Sequence, residues 1–297
     1  MLNGTSMNKN RGSNYFIVAQ KDLYFYSYED ACMQIYKTTI FNRLIKVVCS
    51  MLKVAYPKIF VLKETKNKLQ NASNIVITDY AASVAVIKYL KKYSKANIIL
   101  YYMNEVTNKN KGLMDYVKTV YTFDAGDAKT FNIYFKHTPY TKKIQLDTDS
   151  IEYDVLFLGR NKKRINEILS VKEMLESLGI KGKFLVYNCD NKEIKIDRFI
   201  NYQEYIRMVS KTKCVLEINK KDQEGCSLRF LESLFLKKKL ITNNKKIIND
   251  EYYNKNNVFI LGVDDNKRLK EFITLPYDNS SAVNIDELNF VNWLESF

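Results

Sequence analysis

Short apolar runs alternate with longer stretches of helical period along this chain, the pattern of βαβ units built around parallel sheets. In the first half, residues 15–19 (YFIVA), 58–62 (KIFVL), 75–78 (IVIT), 97–102 (NIILYY) and 119–123 read as strands. Helical period is expected over 32–56, 81–93 and 112–117, and residues 125–151 read as a loop-rich connection. The alternation then restarts. Residues 153–158 (YDVLFL), 183–187, 214–218 (CVLEI), 240–242 and 258–261 (VFIL) read as strands. Helices are expected over 161–178, 203–210 and 227–236, with a terminal one over 285–297. The expected fold class is α/β, two Rossmann-like doubly wound domains facing a cleft. They would occupy 1–150 and 151–283, with 284–297 packing back on the first. In such sheets ligands sit outside the carboxyl ends of the strands.

Composition narrows the choice. Nine Gly and three Pro in 297 residues are too few for a turn-rich sandwich or a disordered linker protein. A formal charge of +14 favours anionic partners such as phosphates, nucleic acid or an acidic membrane surface. His137 is the only histidine, which excludes a two-His metal site. The five cysteines form no CxxC pair and mostly sit beside apolar residues, as reduced thiols of a cytoplasmic protein would. No cleavable signal and no spanning helix are expected.

The stretch 223–232 (QEGCSLRFLE) carries the most chemistry. Gly225 lets backbone approach a ligand, and Ser227 is a plausible N-cap for the helix that follows. First-turn amides and the helix dipole then suit a diphosphate. Arg229 can pair with phosphate, and the Glu232 carboxylate can accept two ribose hydroxyls. A solvated (i, i+3) pair is the alternative for Arg229 and Glu232.

Glu224 and Glu232, separated by seven residues with Gly225 after the first, resemble the E-x7-E element of retaining GT-B glycosyltransferases. The strand at 240–244 and the stretch 250–258 also resemble such enzymes, most of all the smaller ones encoded with bacterial capsule and lipopolysaccharide genes. The resemblance implies transfer of a sugar from a nucleotide diphosphate, a UDP-sugar being favoured, to a glycan or lipid-linked acceptor. It implies no cofactor and no metal. Carried over by position, Glu232 would hold the ribose and Glu224 would face the donor sugar.

Gly159-Arg160-Asn161-Lys162-Lys163-Arg164 follows the first strand of the second half, where cations would neutralise a leaving diphosphate. Lys162 and Arg164 are the preferred pair; a solvated helix start is the alternative. Tyr187, Asn188 and Tyr202 are candidates to stack on or bond a nucleobase. In the first half, Asp79 ends an apolar strand and is a candidate general base, or the N-cap of the next helix. Asn104, Glu105 and Asp124 occupy similar strand ends on the acceptor side. Asp124, Asp127 and His137 are too sparse for a metal site. Residues 40–56 are apolar with three cations, and suit either a core helix or contact with the inner membrane face. A polyanion- or nucleic-acid-binding module, or a GT-B epimerase or hydrolase, is the alternative function. Scattered lysines and the lack of a nucleic-acid motif disfavour the module.

Overall fold

The computed structural model describes residues 13–18, 31–34, 40–52, 69–147, 150–219, 225, 227–280 and 284–297. Two compact units divide the chain: Met1–His137 with Phe290–Phe297, and Thr138–Asn289. The first holds β1 (Ser13–Val18), β2 (Cys32–Gln34), α1 (Ile40–Met51), β3 (Ala72–Thr78), α2 (Val84–Tyr93), β4 (Asn97–Tyr102), β5 (Thr119–Thr122), α3 (Ala125–Phe131) and β6 (Tyr134–Phe135). Its sheet runs β2-β1-β3-β4-β5-β6, parallel throughout.

The second unit holds β7 (Tyr153–Arg160), α4 (Ile165–Ser177), β8 (Gly182–Tyr187), α5 (Tyr202–Ser210), β9 (Thr212–Glu217), α6 (Leu228–Phe235), β10 (Lys239–Thr242), β11 (Val258–Ile260) and α7 (Leu269–Thr274). Its sheet runs β11-β10-β9-β7-β8, again all parallel. The protein is therefore α/β, with two Rossmann-like doubly wound domains. Each sheet reverses its strand order once, between β1 and β3 and between β7 and β9. Central strands are buried on both faces, which explains their unbroken apolar runs: Ile75, Val76 and Ile77 in β3, Val155, Leu156 and Phe157 in β7.

Several expected boundaries shift for identifiable reasons. The long helix expected over 32–56 is split: Cys32–Gln34 is a short edge strand paired with Phe16–Val18, and α1 covers only Ile40–Met51. The strand expected at 58–62 lies outside the described residues. The connection expected over 125–151 contains α3, which Asp124 caps and the left-handed Asn132 ends at φ 53°. α7 went unrecognised in a run broken by charges. Leu44, Val47, Val48 and Met51 on α1 are half or more exposed, so this face is not part of the described core. Among the described residues no helix is long and apolar enough to cross a membrane.

The last helix, α8 (Phe290–Glu295), belongs to the first unit because its aromatics complete that core. Trp293 is fully buried, edge-on to Phe16 at 5.5 Å and to Tyr101 at 5.0 Å, and its Nε1 donates to the His137 carbonyl at 2.7 Å. Tyr140 belongs instead with the second unit, since its backbone N–H donates to Leu288 and its ring meets Phe235 at 5.1 Å. As the sole tryptophan, Trp293 reports on the first unit alone. Phe16→Ala should destabilise that unit by about 3–5 kcal/mol. Urea unfolding followed by tryptophan fluorescence should show this as an earlier midpoint; an unchanged midpoint would refute the packing role.

Candidate ligand site at the carboxyl edge of the second sheet

β7 lies between β8 and β9; the connection from β7 runs to β8 and the connection from β9 runs the other way, to β10, so the two leave on opposite faces of the sheet and open a crevice at the carboxyl edge. The loop after β7 is a closed turn. Asn161 N donates to Tyr187 O at 2.9 Å, and Arg164 N donates back to Asn161 O at 2.9 Å. Within it Lys162 and Lys163 are both left-handed, at φ 43° and 65°. This is the mirror-image turn that Asn-Gly normally fills. For lysine each such residue costs roughly 1–2 kcal/mol. Strain of this kind persists where the surroundings impose it, and it concentrates at ligand sites. Arg160, Lys162 and Lys163 are all exposed at this strand end.

Arg164, expected to meet a phosphate, instead ties two loops together. Its guanidinium donates to the Ile218 carbonyl beyond β9 and reaches Arg160 O at 3.3 and 3.4 Å. It also lies over the Phe157 ring, 5.8 Å from the centroid. Gly159 makes room for this arrangement: a Cβ there would stand 3.0 Å from Phe157 and 3.2 Å from the Arg164 guanidinium. Both residues position the crevice.

Opposite that loop, α6 begins at Ser227, whose Oγ accepts from Arg229 N at 3.0 Å in extended backbone. The same hydroxyl donates to Glu217, at the end of β9, and Thr242 at the end of β10 donates to the other Glu217 oxygen. Burial pushes the Glu217 carboxyl upward, against the lowering effect of these two hydroxyls and of the Arg229 and Arg164 charges. Sequence reading passed over Glu217, although one acid ending the apolar run CVLEI was a usable signal. Gly225 is buried in a bend just ahead of the helix. Glu224 lies outside the described residues, and with it the first acid of the E-x7-E element.

Glu232, expected to hold a ribose, is enclosed by the protein's own donors. It is fully buried, with Tyr202 donating to Oε1 at 3.0 Å and Tyr205 to Oε2 at 2.8 Å. Arg229 pairs with Oε2 at 2.5 Å, donates to Leu158 O at 3.2 Å and covers the Tyr205 ring at 4.0 Å. Tyr140 meets the Tyr202 hydroxyl in turn. A ribose would have to displace two tyrosines and an arginine to reach that carboxylate. The cluster therefore roots α6 on α5 and β7. Tyr202 is likewise a core side chain, so its expected nucleobase role gives way to packing, and burial raises its hydroxyl pKa.

Tyr187 remains at the edge, half-buried, paired in register with Arg160 and stacked on Phe199 at 6.4 Å. Phe199, absent from the sequence reading, is 64% exposed and offers a flat surface beside the cation loop. Asn188, left-handed and exposed, follows directly.

In the first unit the expected acceptor-side residues share one edge but serve as braces. Asp79 is buried, accepting from Met103 N at 3.0 Å and Asn104 Nδ2 at 3.1 Å, and burial raises its pKa. It does not cap α2; Ser83 does, accepting from Val86 N. Asp124 caps α3 through Asp127 N, and Asp127 accepts from Val106 N at 2.7 Å. The Glu105 carbonyl accepts from Asn110, and the His137 ring meets Phe135 edge-on at 4.8 Å. Among the described residues no three His, Cys, Asp or Glu side chains gather as metal ligands. A cavity of about 630 Å³ lies elsewhere in the second unit, against β11 and α7, lined by Phe259, Phe272, Lys239 and Arg268 among others. None of the expected site residues lines it.

Two outcomes test this geometry. Removing Arg229 strands the buried Glu232 charge, so Arg229→Ala should destabilise the second unit by about 3–5 kcal/mol in calorimetric unfolding; a loss below about 1 kcal/mol would contradict the pairing. Because the folded pKa of Glu217 is raised, its stabilising contribution is full below the unfolded value and is lost as pH rises through the folded one. Glu217→Gln should therefore gain melting temperature relative to wild type between pH 4 and pH 8. A difference constant with pH would contradict the burial effect.

No family model matches this chain, and no curated protein matches it. Among solved structures, one similar chain is an alpha-glucosyltransferase in complex with UDP and a 13-mer DNA containing a central A:G mismatch. The two share 10% sequence identity over 71% of each chain, with a TM-score of 0.46.

Proposed function

We propose that the protein is a glycosyltransferase that moves a sugar from a nucleoside diphosphate donor, a UDP-sugar by preference, to a glycan or lipid-linked acceptor. The observation that carries this reading is the Lys162–Lys163 turn. Two strained, exposed lysines and Arg160 stand at the strand-order reversal of the second sheet, across from the Ser227-capped start of α6. Cations and helix amides at such a point favour a diphosphate. In the transfer step, the acceptor oxygen bonds to the anomeric carbon as the bond from that carbon to the diphosphate oxygen breaks. The nucleoside diphosphate leaves with the electron pair, and the acceptor hydroxyl gives up its proton to a base. Arg160, Lys162 and Lys163 offset the charge that develops on the leaving group, the part a metal ion plays elsewhere.

The nucleobase is assigned to Tyr187 and Phe199, which stack beside the same strand end. The acceptor is assigned to the carboxyl edge of the first sheet, where Asp79, Asn104 and Asp124 follow β3, β4 and β5. Bacterial surface polysaccharide synthesis, at the cytoplasmic face of the inner membrane, is the setting that this acceptor class and the exposed apolar face of α1 fit best.

UDP at about 100 times its dissociation constant should stabilise the full chain by about 2.7 kcal/mol, a rise of a few degrees in melting temperature. Lys162→Ala with Lys163→Ala should weaken UDP about tenfold or more and leave uridine binding unchanged. Absence of any shift with UDP, dTDP or GDP, alongside DNA binding that falls steeply with salt, would favour a polyanion-binding module instead.

A further inference from the structure

The carboxyl edge of the second sheet holds two buried amide groups whose donors have no partner. Asn219, two residues beyond β9, is 5% exposed, and Asn244, two residues beyond β10, is 6% exposed. The Nδ2 of each meets no hydrogen-bond acceptor. A third polar atom at the same edge, Asn161 Oδ1 after β7, is a buried acceptor with no donor. Buried polar groups are nearly always satisfied, and a fold that leaves three such atoms open at adjacent strand ends is weakened by each of them.

The loops that carry the amides are also held in place. The Asn243 side chain bridges both backbone groups of Asn219, accepting from its N–H at 2.7 Å and donating to its carbonyl at 3.2 Å. Asn244 N donates to Thr242 Oγ1 at 3.0 Å, and Asn244 Oδ1 accepts from Lys246 N at 3.1 Å. The neighbouring loops are thereby fixed, while both N–H groups of each Nδ2 are left over.

The chemistry of the surroundings selects the ligand. Thr242 and Asn244 flank the same strand end, as do Glu217 and Asn219, and Glu217 is held by the Ser227 and Thr242 hydroxyls. The exposed cations lie instead on the loop after β7. Neighbouring strands stand about 4.8 Å apart, so β7, β9 and β10 together span about 10 Å, enough for a phosphate over the first and a sugar ring over the others. Donors and an acceptor together match hydroxyl groups, which both give and accept hydrogen bonds; phosphoryl oxygens accept only.

We infer that Asn219 and Asn244 bind hydroxyl groups of the sugar carried by the donor, and so set which sugar is taken. This rests on the nucleoside diphosphate reading above and deepens it. Asn244→Ser is the informative substitution, because a hydroxyl can still cap Lys246 N while the unpartnered Nδ2 is removed and no charge is added beside Glu217; Asn219→Ser is its companion.

Titration calorimetry of the full chain should use UDP, UDP-glucose, UDP-galactose and UDP-N-acetylglucosamine as probes, with the melting temperature of each unliganded variant recorded. The expected result is a sugar nucleotide that wild type binds about tenfold or more tightly than UDP, a margin that each variant loses. UDP affinity should stay within about twofold, and the unliganded melting temperature should be unchanged or higher. Equal losses for UDP and sugar nucleotide would place the amides on phosphate and overturn the inference, as would variants that keep the wild-type margin. Wild type that binds UDP with no preference among the sugar nucleotides would overturn it while leaving the nucleotide reading intact. Binding of none of the four would overturn both.

Discussion

The order of the five parallel strands in the second unit is the constraint on which the site depends. Because the connection from β7 runs to β8 and the connection from β9 runs the other way to β10, the two leave on opposite faces, and the polypeptide does not close over the point between them. Arg164 spans it by reaching the carbonyl beyond β9, which ties together the two loops that border the crevice. The left-handed lysines are an outcome of the same closure: the chain must reverse within four residues to begin α4, and the bonds from Asn161 and Arg164 hold it there.

Buried charge at the root of α6 then divides the labour. Glu217 and Glu232 both look like ligand groups by type, yet each is surrounded by the protein's own donors: Ser227 and Thr242 for the first, Tyr202, Tyr205 and Arg229 for the second. Arg229 offsets the Glu232 charge, and burial favours the neutral form of Glu217, so neither group opposes a diphosphate. Their enclosure leaves neutral buried amides and exposed cations along the edge, a composition suited to a phosphorylated sugar. The stability that such unpartnered amides forgo is returned only when a ligand completes them.

The strands were legible because each is a short, β-branched or aromatic run. Residues 97–102 and 183–187 needed little correction: Ile98 to Tyr102 are all buried, as in a strand covered on both faces, and the edge strand β8 still carries the apolar run Phe184 to Val186. The capping role of Ser227 was legible for a local reason, as the side chain and the amide it accepts from are two residues apart. Depth was not legible. Arg229 and Glu232 at (i, i+3) read alike whether they face water, a ribose or the core, and only the tyrosines of α5, more than twenty residues away, decide between these. The same holds for Asp79, whose partners Met103 and Asn104 come from the next strand end. Asn219 and Asn244 were invisible for another reason: asparagine is common in the loops of this chain, and an unmet donor is a property of the packed structure alone.

Mapping of the ligand contact in the intact protein tests the central claim most directly. In a ¹⁵N-labelled full chain titrated with UDP, backbone amide shifts should concentrate at residues 159–164, 187–188, 217–219 and 225–229, with smaller changes at 242–244. Shifts confined to β11 and α7, around the cavity lined by Phe259 and Phe272, would place the nucleotide elsewhere and contradict the account.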